Sequence, residues 1–169
     1  MPPAVPVPEL IAAEIVSRLE AITILGGYEF NVGDVVRPNR QGTNFVVRSL
    51  TMLVVLGDMR RNYDLGHEGN PPANAYDLDI NLHMIGDVST ASSGSYQTKP
   101  NDMAAAAIKA ISQEAADPSM WYTMAGNSIH SEITSIENYS SFAGDHSGAV
   151  VILTTTFRVS ETDPFTVRA

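Results

Sequence analysis

The strongest alternation of apolar and polar residues lies near the C-terminal end of the chain. In the run 147–160, one set of alternate positions is apolar from 149 to 159 apart from a single threonine: Ala149, Val151, Leu153, Thr155, Phe157 and Val159. The intervening positions begin apolar and become polar: Val150, Ile152, Thr154, Thr156 and Arg158. A period of two predicts a β-strand. The strand should lie in a sheet that is covered on one face and partly open on the other.

A second β-patterned run, residues 127–139, precedes this strand. The segment between them contains Gly144-Asp145-His146-Ser147-Gly148, which is rich in turn-forming residues. Its serine is not in the Gly-x-Ser-x-Gly frame of a nucleophile elbow. We therefore predict a β-hairpin here and not a catalytic motif.

Two predicted helices carry apolar residues at three-to-four spacing. The first follows a Pro-rich arm, residues 2–8, and ends near Gly26-Gly27. Its apolar stripe consists of Leu10, Ile11, Ile15, Leu19 and Ile22. The second is capped by Asn101 or Asp102 and ends before Pro118. Its Ala-rich face consists of Met103, Ala106, Ala107, Ile108, Ala110, Ile111 and Ala115.

Further strands are predicted between these helices. Alternation over about 28–37 indicates a strand or a bent hairpin arm. Residues 45–57 contain the most continuous apolar run and predict a central strand buried on both faces. Residues 76–84 are apolar at even positions and polar at odd positions, which predicts a half-buried strand. The polar, Gly-rich segments 58–75 and 86–100 predict loops.

These elements predict one α+β domain over residues 1–169, with a mostly antiparallel sheet of about four to five strands and two helices packed on one face. The chain is 44% hydrophobic and only 17% charged, which is lean in charge and favours burial of surface between subunits. The absence of cysteine excludes a disulfide framework, a thiol nucleophile and Cys-ligated zinc. No signal peptide and no apolar run of about 20 residues is visible, so we expect a soluble protein made in a cytoplasm.

The net charge of −9 is unevenly distributed. Residues 37–61 contain five arginines and one aspartate, a local balance of +4 that leaves −13 for the remainder. The arginines are Arg37, Arg40, Arg48, Arg60 and Arg61. They are either solvated side chains at strand ends and in loops, or a positive patch that docks on an acidic partner or a neighbouring subunit. The acidic remainder argues against direct DNA binding.

The chain carries no recognisable catalytic motif. A phosphate-binding loop is absent, and the histidines lack the i,i+4 pairing of a helical metal site. Asp77 and Asp79 share one strand face, as do His130 and Glu132. These residues either form the solvent side of amphipathic strands or belong to a small enzyme or ligand-binding domain that uses Asp77, Asp79, His83 and His130. The second hypothesis requires the four to converge in a pocket with perturbed pKa values. No metal or cofactor is expected.

Three sequence blocks, taken together, carry a family resemblance. The blocks are Val36-Arg37-Pro38-Asn39-Arg40, Leu65-Gly66-His67-Glu68-Gly69-Asn70-Pro71-Pro72-Ala73 and Phe157-Arg158-Val159-Ser160-Glu161-Thr162-Asp163-Pro164-Phe165. In combination they resemble tail terminator, or tail completion, proteins of long-tailed bacteriophages. The order helix, strands, helix, strands is similar across nearly the whole chain.

The resemblance implies a structural virion protein without catalytic residues. Such a subunit assembles into a hexameric ring that caps the tail tube, ends tube growth and provides the joint to the neck below the capsid portal. Its implied partners are further copies of itself, the tail tube protein and the neck proteins; whether the sheath is a further partner is left open by the resemblance. DNA would pass through the ring without specific binding.

The two ends of the chain are further candidate interfaces. The arm 2–8 and the tail 161–169 have few apolar residues, so we expect both to bind neighbouring subunits rather than their own core. Glu161, Asp163 and Phe165 therefore join the five arginines as candidate interface residues. A neck completion protein on the portal side of the joint is the alternative structural role, and the sequence does not separate the two.

Overall fold

The computed structural model describes residues 5–38, 50–65, 73–87, 98–112, 123–142, 146–161 and 163–167. These ranges contain two α-helices, one 3-10 turn and six strands. The helices are α1 (Val7–Glu20) and α2 (Thr98–Ser112), and the 3-10 turn is Ile24–Gly26. The strands are β1 (Asp34–Val36), β2 (Thr51–Asn62), β3 (Ala73–Asp87), β4 (His130–Phe142), β5 (His146–Ser160) and β6 (Asp163–Val167).

The strands form one sheet in the order β1-β2-β3-β5-β4. β1 runs parallel to β2, and the other pairs are antiparallel. The short β6 pairs with the end of β5, on the side opposite β3, and therefore continues the sheet edge that β4 forms. The predicted α+β class, with a mostly antiparallel sheet and two helices, is confirmed.

Both helices pack on the same face of the sheet. Leu82 of β3 lies opposite Val151 of β5, and both point towards the helices and are fully buried. The helix residues in this core are Val7, Ile11, Ile15, Leu19, Met103, Ala104, Ala106, Ala107, Ala110 and Ile111. Most of the predicted apolar faces of the helices, and the predicted alternation of β3 and β5, are thus confirmed. Leu10 is only half-buried, Ile22 is buried but follows the end of α1, and Ala115 lies outside the described residues.

The Arg18 side chain of α1 links the two helices by a hydrogen bond to α2. Its Nε lies 2.8 Å from Glu14 Oε1, one turn earlier in α1. Its Nη1 donates a hydrogen bond of 2.8 Å to the carbonyl of Ile111 near the end of α2. This contact satisfies one of the carbonyls that the last turn of a helix leaves without an internal partner.

The strand with the most continuous apolar run is not central. β2 lies second from the edge of the sheet, and β3 is the central strand. Met52, Leu53 and Val54 are buried as predicted. However, β2 continues to Asn62 through residues that were expected to form a loop, because its pairing with β3 extends beyond the apolar core.

Other boundaries also differ from the sequence prediction. α2 begins at Thr98, ahead of the predicted caps Asn101 and Asp102, and the structure places Pro100 in its first turn. Within the region 28–37, only Asp34–Val36 is a strand. The apolar residues before it pack as loop residues, so their alternation reflects burial against the core.

The ends of the described chain contact the core more than the sequence indicates. Val7 begins α1 and is fully buried, so the arm is shorter than residues 2–8. Asp163–Val167 of the tail form β6 on the chain's own sheet, and the expectation that the tail binds only neighbouring subunits is wrong for this segment. The small number of apolar residues in the tail did not predict this pairing with β5, because a strand pairs with a sheet edge through its backbone groups.

Several predicted features lie outside the described residues: the run 45–47, the loop 88–97, residues 113–118 at the end of the second predicted helix, and the turn at 143–145. In the described part of the chain, neither helix has the length and apolar character needed to cross a membrane.

Candidate functional site

The face of the sheet opposite the helices carries two carboxylates of β3. Asp77 Oδ1 accepts a hydrogen bond of 2.7 Å from Thr156 of β5. The Asn62 amide of β2 donates to both oxygens of the same carboxylate, at 3.2 and 3.1 Å. Asp77 therefore ties together three adjacent strands.

Asp79 makes an equivalent set of contacts two residues further along β3. Arg60 Nη2 of β2 lies 2.7 Å from Asp79 Oδ2. Thr154 Oγ1 of β5 donates to Asp79 Oδ1 at 2.9 Å. Cross-strand pairs of this kind stabilise a sheet. The two carboxylates thus act as acceptors within the fold, as expected for the polar side of an amphipathic strand.

The two histidines of the enzyme hypothesis share this sheet face but do not converge with the aspartates. His83 lies six residues from Asp77 along β3, which corresponds to about 20 Å at about 3.3 Å per residue. His130 lies opposite Thr156 on β4, two strands away from Asp77. Its Nε2 is 3.6 Å from Glu132 Oε2, the same-face neighbour that the sequence indicated. The arrangement does not assemble an acid–base group from the four residues.

His83 has an altered protonation equilibrium. In the register of the sheet it lies between Leu53 of β2 and Val150 of β5, both buried. Burial lowers the pKa of the His83 imidazole, because the charged form loses hydration there. The side chain is therefore held in the neutral form at neutral pH.

Metal binding finds no support in the described ranges, which contain no group of three or more His, Asp or Glu residues positioned to hold an ion.

The candidate arginines have different partners. Arg37 Nη1 lies 2.6 Å from Glu9 Oε2 of α1. Arg60 pairs with Asp79, whereas Arg61 points to the helix-side face and donates to the neutral Asn74 amide at 2.6 Å. The Arg61 guanidinium also lies 5.2 Å from the centre of the Tyr63 ring.

Among described residues, Arg61 therefore forms no salt bridge, in contrast to Arg37 and Arg60. Arg40 and Arg48 lie outside the described ranges. Glu161 is exposed after β5, Asp163 is half-buried at the start of β6, and the side chain of Phe165 is not described. A docking role for these residues remains a prediction.

A surface that the sequence did not indicate lies at the end of β2. Met59, Tyr63 and Leu65 are exposed there, and the exposed fraction of Tyr63 is 73%. Together with Arg61 they form what we call the distal surface. The sequence signal was the end of the continuous apolar run at Leu56, after which a bulge shifts the register between β2 and β3.

A second such surface lies at the opposite end of β2. Leu25, in the 3-10 turn, is completely exposed at 101%, and the neighbouring Ile24 is 59% exposed. Gly33 N donates to the carbonyl of Leu50 at 3.0 Å, which fixes the segment after the turn at the start of β2. The apolar pattern predicts a first helix that ends near Gly26-Gly27, whereas α1 ends at Glu20, so the exposure of this dipeptide could not be predicted from the sequence.

A cleft of about 300 Å³ lies beside this turn, between the loop after it and α2. Lys109 Nζ donates to the carbonyl of Gly27 at 3.0 Å and lies 4.6 Å from the centre of the Tyr28 ring. Burial raises the pKa of the Tyr28 phenol, so the ring stays neutral. Glu29 and Asp102 also line the cleft, and neither side chain pairs with a described residue. Ile24, Leu25, Tyr28, Glu29, Asp102 and Lys109 form what we call the proximal surface.

Comparison with known proteins does not assign the chain: no family model and no curated protein matches it.

Proposed function

We propose that this protein is a structural subunit of a bacteriophage virion, a tail terminator. In this role it forms a ring on the end of the tail tube, stops tube polymerisation and joins the tail to the neck. The resemblance of the three sequence blocks suggests the family. The α+β fold, with two helices on one face of a mostly antiparallel sheet, agrees with that resemblance.

The observation that carries the proposal is the exposure of apolar side chains at opposite ends of β2. Leu25 and Ile24 are exposed at one end, and Met59 and Tyr63 at the other. Clusters of exposed large apolar side chains are typical of interaction sites. A ring needs head-to-tail contacts between two different surfaces of each copy, which is the arrangement that such a distribution offers.

The polar face of the sheet supports a structural role. The oxygens of Asp77 and Asp79 accept hydrogen bonds from residues on both neighbouring strands. A general base needs its carboxylate within reach of a substrate proton. Carboxylates that hold strands together serve the stability of the sheet instead.

The charge of the chain suits a ring around DNA. Six copies of a subunit with net charge −9 carry −54 in total. A channel wall of that sign repels the phosphate backbone and allows DNA to pass without adhering. Tight binding of duplex DNA at physiological salt would contradict this part of the proposal.

The test is the effect of the purified protein on tube growth. Tail tube subunits are polymerised with and without the protein, and tube lengths and tube ends are recorded by negative-stain electron microscopy. The proposal predicts shorter tubes with a ring at one end. Unchanged tube lengths without rings, at a protein concentration well above that of tube ends, would show that the terminator role is wrong.

A further inference from the structure

The distal and proximal surfaces cannot meet within one molecule. The distal surface lies at the end of β2, and the proximal surface lies at its start. β2 has 12 residues, and a strand of this length spans about 40 Å. Any contact between the two surfaces must therefore join two copies of the chain.

The distal surface has the composition of an interface anchor. It combines an exposed tyrosine, an exposed methionine and an arginine that lies over the tyrosine ring. Tyrosine and arginine are enriched among the residues that dominate binding energy. The Arg61 guanidinium has only a neutral amide and an aromatic ring as described partners, so its charge is not neutralised within the described chain.

The proximal surface offers the complementary chemistry. Two carboxylates, Glu29 and Asp102, line its cleft beside the Tyr28 ring, and they pair with no described residue. Lys109 is the cation that lines the same cleft, and it donates to a backbone carbonyl and lies over Tyr28. The exposed Ile24 and Leu25 add an apolar rim to which Met59 and Tyr63 can pack.

We propose that the distal surface of one copy docks on the proximal surface of the next copy, with Arg61 entering the cleft between Glu29 and Asp102. The exposed rings and aliphatic side chains of the two surfaces bury one another around this charged contact. Arginine suits such a cleft because its planar guanidinium can bond carboxylates and stack on an aromatic ring at the same time.

In the proposed ring, this contact joins neighbouring subunits, so the docking proposal rests on the proposed function. It is more specific than the ring proposal, because a ring could also form through other surfaces. Arg60 is excluded from the contact, because it points to the opposite face of the sheet and pairs with Asp79.

The test is a charge-swap series measured by sedimentation velocity over a range of protein concentrations. Arg61→Glu places three carboxylates at each joint and should raise the concentration for half-assembly by about tenfold or more. The double variant Glu29→Lys and Asp102→Lys should weaken assembly similarly. Combining all three substitutions restores opposite charges and should recover most of the loss.

Arg60→Glu is the matched control, because it makes the same charge change one residue away on the other sheet face. It should assemble at the concentration of the parent protein. Thermal melts followed by circular dichroism confirm that each variant is folded. Since the joint is ionic, its strength should also fall with added salt.

The outcomes separate the two proposals. If the parent forms rings and folded Arg61→Glu forms them equally well, the docking assignment is wrong and the terminator proposal stands. The assignment is also wrong if Arg60→Glu is as damaging as Arg61→Glu, or if the folded triple variant does not recover assembly. If the parent forms no assembly alone or on tail tubes, both proposals fail.

Discussion

Two pairs of carboxylates in this protein have opposite surroundings. Asp77 and Asp79, at the centre of the sheet, accept hydrogen bonds from residues on both neighbouring strands. Glu29 and Asp102, in the cleft beside α2, pair with no described residue. The first pair holds the fold together, whereas the second is available to another molecule. The adjacent Arg60 and Arg61 differ in the same way. Arg60 pairs with Asp79 within the sheet, whereas Arg61 forms no described ion pair.

The sharpest contrast is between a buried and an exposed leucine. Leu82 is fully buried at the centre of β3, and Leu25 is completely exposed. Leu82→Ala should lower the free energy of unfolding by about 2–5 kcal/mol, because it removes apolar contacts and leaves a cavity. Leu25→Ala should change it by no more than about 0.5 kcal/mol. Chemical denaturation of the monomer measures both, and similar losses would contradict the division between fold and interface.

The carboxylates provide the next test. Asp77→Ala leaves Thr156, which is buried, and Asn62 without their acceptor, and should cost about 1–3 kcal/mol of stability. Asp102→Ala removes no described side-chain contact and should alter stability by at most about 0.5 kcal/mol while weakening assembly. Urea unfolding curves for the two variants give the comparison. Equal destabilisation would show that Asp102 also serves the fold.

These contrasts show how far the sequence alone could lead. Period-two alternation placed Asp77 and Asp79 correctly on the polar face of a strand, and three-to-four spacing identified both helical faces. The partners of these carboxylates could not be predicted, because they come from β2 and β5 and depend on register across strands. The sequence did not distinguish the roles of Arg60 and Arg61. The sheet face that each one occupies depends on a bulge between Leu56 and Met59, which the sequence pattern did not predict.

The exposure of Ile24 and Leu25, near the start of β2, could not be predicted from the sequence for a related reason. Ile24 and Leu25 continue the apolar pattern of the first helix, so their pattern indicates burial. Whether these two residues pack in the core depends on where α1 ends. Because α1 ends at Glu20, both lie in the following turn. The low content of charged residues predicted apolar surface outside the core, but not where it lies.

His83 gives a pH-dependent test of the sheet's polar face. Its pKa is lowered from 6.5 by burial in the folded state, so the unfolded chain binds more protons as pH falls below that value. The free energy of unfolding should therefore decrease between pH 7 and pH 5. His83→Gln should flatten that part of the profile relative to the parent. An identical pH profile for the two proteins would show that His83 does not contribute.

The smallest expected effect concerns the two neighbouring arginines. Arg60→Gln breaks the ion pair with Asp79 and should lower stability by about 0.2–1 kcal/mol, less at high salt, because the Arg60 side chain is 64% exposed. Arg61→Gln breaks no described ion pair and removes only an exposed hydrogen bond to Asn74 and the contact with the Tyr63 ring, so any loss should be below about 0.5 kcal/mol and should not depend on salt. Thermal denaturation at low and high salt distinguishes the two. A larger loss for Arg61→Gln would place that residue in the fold.

The most direct test of the central claim is native mass spectrometry of the purified chain over a range of concentrations. Head-to-tail docking that closes into a terminator ring predicts one discrete assembly, six times the 18.2 kDa subunit mass, in equilibrium with monomer. Arg61→Glu should shift this equilibrium to monomer, and Arg60→Glu should not. An open ladder of increasing sizes, or monomer alone at high micromolar concentration and in the presence of tail tubes, would contradict the account.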